Sequence, residues 1–137
     1  IEAWQKRMVE EAHRKSYLVN PFGDVCWFWD VLHWDGKKQE MVYGEDAKAA
    51  MAFGPQSSVA GVLKRAMWNL RDLIEDGTML LTIFDAMLFL VREEEVQALA
   101  ARVRSVMTAP VPELDGLSIN VAGGYGPTWC EGDMTDI

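Results

Sequence analysis

Trp4, Met8 and Ala12 recur every four residues among Lys6, Arg7, Glu10, Glu11, Arg14 and Lys15, a spacing that predicts an amphipathic helix over about 2–15. Asn20-Pro21-Phe22-Gly23 then stops any regular element. The aromatic and β-branched run CWFWDVLHW follows, and Asp35-Gly36 supplies a turn, so a hairpin or irregular ribbon is predicted over about 16–43. From Glu45 to Asp76 the helical period returns. Val59, Val62, Leu63, Ala66, Met67, Leu70, Leu73 and Ile74 make one apolar stripe after an interruption at Gly54-Pro55, with Glu45 to Met51 as a separate turn or two. Gly77 is placed to stop the long helix, because glycine tolerates the left-handed conformation there.

Thr78–Phe84 and Met87–Val91 are short apolar runs joined by Asp85-Ala86, the spacing of a tight hairpin with both strands buried. Glu93, Glu94 and Glu95 load the first turn of a further helix, where negative charge suits the dipole, and Val96, Leu99, Val103 and Val106 form its inner face. Pro110, Pro112 and Gly116 mark a loop. Leu117, Ile119 and Val121 then alternate with Ser118 and Asn120 as a half-buried strand, before a tail rich in glycine and acids. The order predicts an α+β domain with a largely antiparallel sheet backed by helices, an architecture shared by palm-like and ferredoxin-like domains.

Length and composition narrow this. At 137 residues, half of them apolar, the chain suits one compact domain over 1–137. It begins with Ile1 rather than methionine and opens directly into a helical pattern, so a piece of a longer protein is expected. Cys26 and Cys130 lie far apart without CxxC spacing, which points to reduced thiols in a cytoplasmic setting. No apolar run reaches the roughly 18 residues of a membrane span, so a soluble protein is expected.

The net charge of −8 argues against a general nucleic-acid binder. Its distribution softens that objection. Residues 1–71 hold ten Lys/Arg against nine Asp/Glu, whereas residues 72–137 hold three against twelve. Phosphate-facing surface is therefore expected in the first half and carboxylate chemistry in the second.

Asp85 is the outstanding candidate, because a carboxylate between two apolar runs is expensive to desolvate unless a turn or a cation accommodates it. On spacing alone a turn former and a metal ligand are both open readings. Other constellations point more to structure. His13 and His33 are too far apart to make a zinc site with the cysteines without long-range convergence. Ser57 and Ser58 lack a nearby histidine and suit helix capping better than nucleophilic attack. Gly123-Gly124-Tyr125-Gly126 lacks the strand-to-helix phosphate-loop context and reads as a flexible turn. Trp27, Phe28, Trp29 and Trp34 suit a base-stacking platform or, more simply, a strand whose alternate aromatics pack a core. The six tryptophans also suit a surface covered by missing segments, which predicts an exposed apolar patch.

The wider string chooses for Asp85. The helix AFGPQSSVAGVLKRAM, the hairpin LLTIFDAMLFLV, a following helix, LSINVAGG and Trp129 resemble the C-terminal palm of family A DNA polymerases, the polymerase I type, whose helix reads like NAPIQGTAADIIKxAM and hairpin like QVHDELVFEV. Order and approximate spacing match from Trp4-Gln5 through Asn20–Gly23 to the end. The resemblance, with a divergent, phage-like cast, implies a palm-like but incomplete α+β fold in a bacterial or phage-infected cytoplasm. It implies that Asp85 is the hairpin aspartate that binds catalytic Mg2+ or Mn2+. It also implies that Gln56 contacts the duplex minor groove near the primer terminus, and that Lys48 stands where an arginine is usual. Lys64 matches a frequent basic residue of the helix. Primer-template DNA and a deoxynucleotide are the implied partners.

The chain departs from the pattern at three places: Phe84 replaces the histidine before the aspartate, Ala86 the glutamate after it, and Ala52 an asparagine. Two-metal phosphoryl transfer needs carboxylates from two strands to hold ions about 4 Å apart. In the family the partner aspartate lies on an earlier palm strand and the nucleotide-binding lysine and tyrosine on a fingers helix. Fingers, thumb and first palm strand are absent here; Asp30 and Asp35 are expected to be turn or surface residues. The parent is thus expected to be a DNA-directed DNA polymerase, and the isolated chain to be inactive. The alternative is a non-catalytic interaction domain derived from such a palm.

Overall fold

The structure, a computed structural model, describes residues 1–75, 78–129 and 133–137. Cys130 and the expected helix stop at Gly77 lie outside the described residues. Two compact units are present, Ile1–Gly61 and Val62–Ile137, and the boundary between them falls inside one long helix.

The first unit opens with α1 (Glu2–Lys15), within the predicted limits. Glu2 in its first turn and His13, Arg14 and Lys15 in its last complement the helix dipole. Val9 and Ala12 are buried on its inner side. The predicted ribbon resolves into two antiparallel hairpins: β1 (Tyr17–Val19) with β2 (Val25–Trp27), and β3 (Leu32–Asp35) with β4 (Glu40–Tyr43). The first is closed by buried Asn20, whose Oδ1 accepts the N–H groups of Phe22 and Asp24 at 3.0 and 2.8 Å while its Nδ2 donates to Asp24. A buried amide needs such partners. The second is closed by Asp35, whose carboxylate accepts the N–H of Lys37 at 2.8 Å, as expected of a turn residue.

α2 (Ala47–Asn69) runs straight through Gly54-Pro55, where the sequence predicts an interruption. Proline removes one helical hydrogen bond. Packing on the surrounding turns holds the helix regardless: Ala50 is fully buried, and Phe53 meets Phe28 edge-on at 5.9 Å. Ser57 and Ser58 are not caps; their hydroxyls donate back to the carbonyls of Phe53 and Gly54 at 2.6 and 2.7 Å. Val9, Ala12, Leu18, Phe28, Val31 and Ala50 form this unit's core.

In the second unit the helix ends near Leu70, whose N–H is shared by the carbonyls of Ala66 and Met67, and a short α3 (Arg71–Glu75) follows. β5 (Met79–Ile83) pairs antiparallel with β6 (Ala86–Phe89). A single helical turn at Glu93–Glu95 leads into α4 (Val96–Met107), and Leu99, Val103 and Val106 pack with Met67, Met87 and Phe89 around buried Leu70, Leu73 and Met79, as the periodicity predicts. The β5–β6 ribbon is not buried on both faces as predicted: Met79, Met87 and Phe89 face this core, whereas Leu80, Leu81 and Leu90 are exposed.

Leu117–Val121 is not a strand. Leu117 makes an isolated bridge to Val111, and positive φ at Asp115 and Gly116 bends the chain there, so the alternation finds no strand to pair with. Gly124 and Tyr125, read as part of a flexible turn, form a two-residue strand, β7 (Gly124–Tyr125), against β8 (Thr135–Asp136). The fold is α+β with antiparallel strands; among the described residues the strands lie in four separate pairs. No described helix is long and apolar enough to cross a membrane.

Candidate functional site

The β5–β6 register aligns Ile83 with Ala86, so the turn consists of Phe84 and Asp85. The sequence places the joint one residue later, at Asp85-Ala86. Register decides the matter, because a one-residue slip reverses every side chain. The observed pairing turns Met87 and Phe89 to the core, and Ala86 becomes the first residue of β6.

Asp85 is the second turn residue. Its side chain is exposed and makes no hydrogen bond or ion pair among the described residues. An ionised carboxylate offers two acceptor oxygens, hard donors of the kind magnesium and manganese take. Asp85 therefore fits one ligand position of such an ion. No group of three or more His, Cys, Asp or Glu able to hold a metal occurs among the described residues. The acids that follow β6 are engaged elsewhere: Glu95 pairs with Arg92 at 2.6 Å, and Glu94 lies 3.8 Å from the same guanidinium.

Lys48 and Gln56 both lie on α2 in the first unit, exposed and without side-chain hydrogen bonds among the described residues. Their separation of eight positions is ~12 Å along a helix axis. Gln56 stands at a shallow groove lined by Cys26, Phe28, Ala49, Phe53 and Ser57. Lys64 is exposed farther along α2. Asp85 belongs to the second unit.

Asp30, expected at a turn or surface, belongs to a lock that the sequence does not reveal. Its Oδ2 accepts the Glu45 N–H at 3.0 Å, and its Oδ1 lies 2.9 Å from His33 Nδ1. Asp46, just before α2, returns the bond: its Oδ2 accepts the N–H groups of Trp29 at 2.7 Å and Asp30 at 3.0 Å. Gly44 is required beside them, since a Cβ there would lie 2.2 Å from Asp30 Oδ1. The Glu45 N–H, then His33, holds the Asp30 carboxyl below its ordinary range; the Asp30 and Trp29 N–H groups do the same for Asp46. The signal that was available is local: aspartate directly before an alanine-rich helical run marks a helix start.

The aromatic run alternates. Phe28 is buried, whereas Trp27, Trp29 and Trp34 are exposed, as are Trp68 and Trp129. Tryptophans are therefore exposed in both units.

A family model described as DNA polymerase family A matches residues 1–131. No curated protein matches the chain.

Proposed function

The chain belongs to DNA polymerase family A, and on that footing we propose that it is the C-terminal part of the palm, with Asp85 as one of its metal-binding carboxylates. Members of this family are nucleotidyltransferases of DNA replication that generally use divalent metals, and the partners of an intact enzyme are DNA and nucleotides. The observation that supports the finer reading is the hairpin tip: a two-residue turn holds up a carboxylate that makes no other bond among the described residues.

In this reading Asp85 contributes oxygen ligands from the hairpin, and a second aspartate comes from a palm strand outside these residues. Bound Mg2+ or Mn2+ would supply electrostatic stabilisation of the attacking and leaving oxygens. Gln56 offers both a donor and an acceptor to base edges in the minor groove, where A·T and G·C present shared acceptors. Lys48 offers a positive charge to a backbone phosphate, which positions the duplex without reading its sequence. Alone, the chain is expected to give no primer extension with magnesium, because half of the ligand set lies elsewhere.

The test is Mn2+ titration watched by paramagnetic broadening, which registers even sparsely occupied sites. The backbone amides of Phe84, Asp85 and Ala86 are expected to broaden first, and Asp85→Asn to abolish the effect. Broadening centred on Glu93–Glu95 and indifferent to Asp85→Asn would remove the proposed ligand. Phe84 and Ala86, where the family carries histidine and glutamate, favour the second reading of a palm-derived interaction domain without catalysis. That reading expects no extension even when the upstream segments are restored.

A further inference from the structure

The first hairpin has two chemically different faces. Leu18 and Cys26, paired in register, turn inward, where Leu18 is buried. Strand alternation therefore sends Tyr17, Val19, Val25 and Trp27 to the opposite face. There Tyr17 and Trp27, also paired in register, have ring centroids 5.2 Å apart at an interplanar angle of 54°. Trp29 extends the row: its ring is 6.1 Å from that of Trp27 and within 12° of parallel. Trp27 is 57 % exposed and Trp29 81 % exposed. The Trp29 backbone is pinned by its N–H bond to Asp46. The result is a three-ring ladder, anchored at its outer end and open there.

We propose that this ladder is a stacking platform for an unpaired base of single-stranded DNA, which adds to the row on the open face of Trp29. Every base has a π-face, and base–aromatic stacking is worth about 1–3 kcal/mol without regard to sequence. Charge bears on where a phosphate can lie. The last turn of α1 runs directly into β1 and carries His13, Arg14 and Lys15. Lys15 is paired with Glu11 at 2.5 Å, whereas Arg14 makes no ion pair among the described residues and is available to a phosphate. Asp46, which accepts the N–H groups of Trp29 and Asp30, sets negative charge beside the Trp29 backbone, where a phosphate is disfavoured. Stacking thus supplies most of the affinity, and few phosphates are contacted. The site uses neither Asp85 nor Gln56, so it stands independently of the palm assignment.

The experiment is a titration of the 137-residue chain with a fluorescently labelled short oligodeoxythymidine, read by anisotropy at several salt concentrations. Binding is expected with a shallow log–log salt slope, near the value of about −0.7 for one phosphate contacted on a single strand. Trp29→Ala is expected to weaken it about tenfold, Trp29→Phe much less, and Trp68→Ala not at all. Arg14→Ala is expected to flatten the salt slope. Far-UV circular dichroism checks that the variants keep the fold, which the exposure of Trp29 favours. Absence of binding, or equal binding by Trp29→Ala, overturns the proposal. So does sedimentation showing a self-associated chain that Trp29→Ala dissociates while DNA has no effect, because the ladder would then be covered by a second copy.

Discussion

Ile83 and Ala86 face each other across β5 and β6, leaving Phe84 and Asp85 as the whole of the turn. Phe84 adopts φ 52° and is 98 % exposed. A left-handed conformation costs an L-residue about 1–2 kcal/mol, and two-residue hairpin turns with positive φ at the first position favour glycine. Side-chain burial offsets none of that cost at Phe84. Phe84→Gly is therefore expected to stabilise the chain by about 1 kcal/mol in urea denaturation. An unchanged or lowered midpoint would mean that the ring makes a stabilising contact after all.

Asp85 is exposed and makes no side-chain bond among the described residues for the fold to lose. Asp85→Asn keeps its shape at an exposed turn and is expected to change stability by less than about 0.5 kcal/mol. Function is expected to respond very differently. On the role proposed for Asp85, the same substitution in an intact polymerase is expected to lower primer extension more than about a hundredfold, beyond the loss typical of a residue that only supports a metal ligand. An intact enzyme with Asp85→Asn and normal extension would remove Asp85 from the site.

Much of this was legible because it is local. The four-residue spacing of Trp4, Met8 and Ala12 gives α1 nearly to the residue, and Val96, Leu99, Val103 and Val106 give the inner face of α4. What was missed depends on partners distant in sequence. The hairpin joint is off by one because Ala86 and Phe84 are indistinguishable as turn neighbours until Met87 and Phe89 find Leu70 and Leu73. The alternation at Leu117–Val121 looks like a strand, yet only a pairing edge makes it one. The Asp30–Asp46 lock joins residues sixteen apart and has no periodic signature. Only the resemblance to a family pattern singles out Asp85, Gln56 and Lys48; spacing alone leaves Asp85 open between turn and ligand.

That lock has a pH signature. Both carboxyls are held below their ordinary value of 3.8 by backbone N–H donors, so the native state binds fewer protons than the unfolded chain in this range. Their contribution is complete above the unfolded value and is lost as pH falls through the lowered native values. Asp72, beside Arg102, and Glu11, beside Lys15, act with the same sign. Urea midpoints are therefore expected to hold steady near neutrality and to decline below about pH 4. Asp46→Asn should weaken the chain at neutral pH and make the acid decline shallower. Parallel pH profiles for the two proteins would show that the lock contributes nothing.

Gly61 tests how closely the Asn20–Gly23 turn is fitted to α2. A Cβ at position 61 would lie 2.4 Å from Phe22 Cδ2 and 2.5 Å from its Cγ, well inside van der Waals contact. Two effects compete in Gly61→Ala. Alanine improves helix propensity by about 1 kcal/mol at an interior position. Overpacking against a ring costs about 1–3 kcal/mol, and Phe22 has limited freedom because its own N–H is tied to Asn20 Oδ1 at 3.0 Å. The clash is expected to win, with a net loss of about 1 kcal/mol. The decisive measurement is a double-mutant cycle with Phe22→Ala. Once the ring is gone, only the propensity gain remains, so Gly61→Ala should become stabilising in that background. If it destabilises both backgrounds equally, the contact with Phe22 is not what requires glycine.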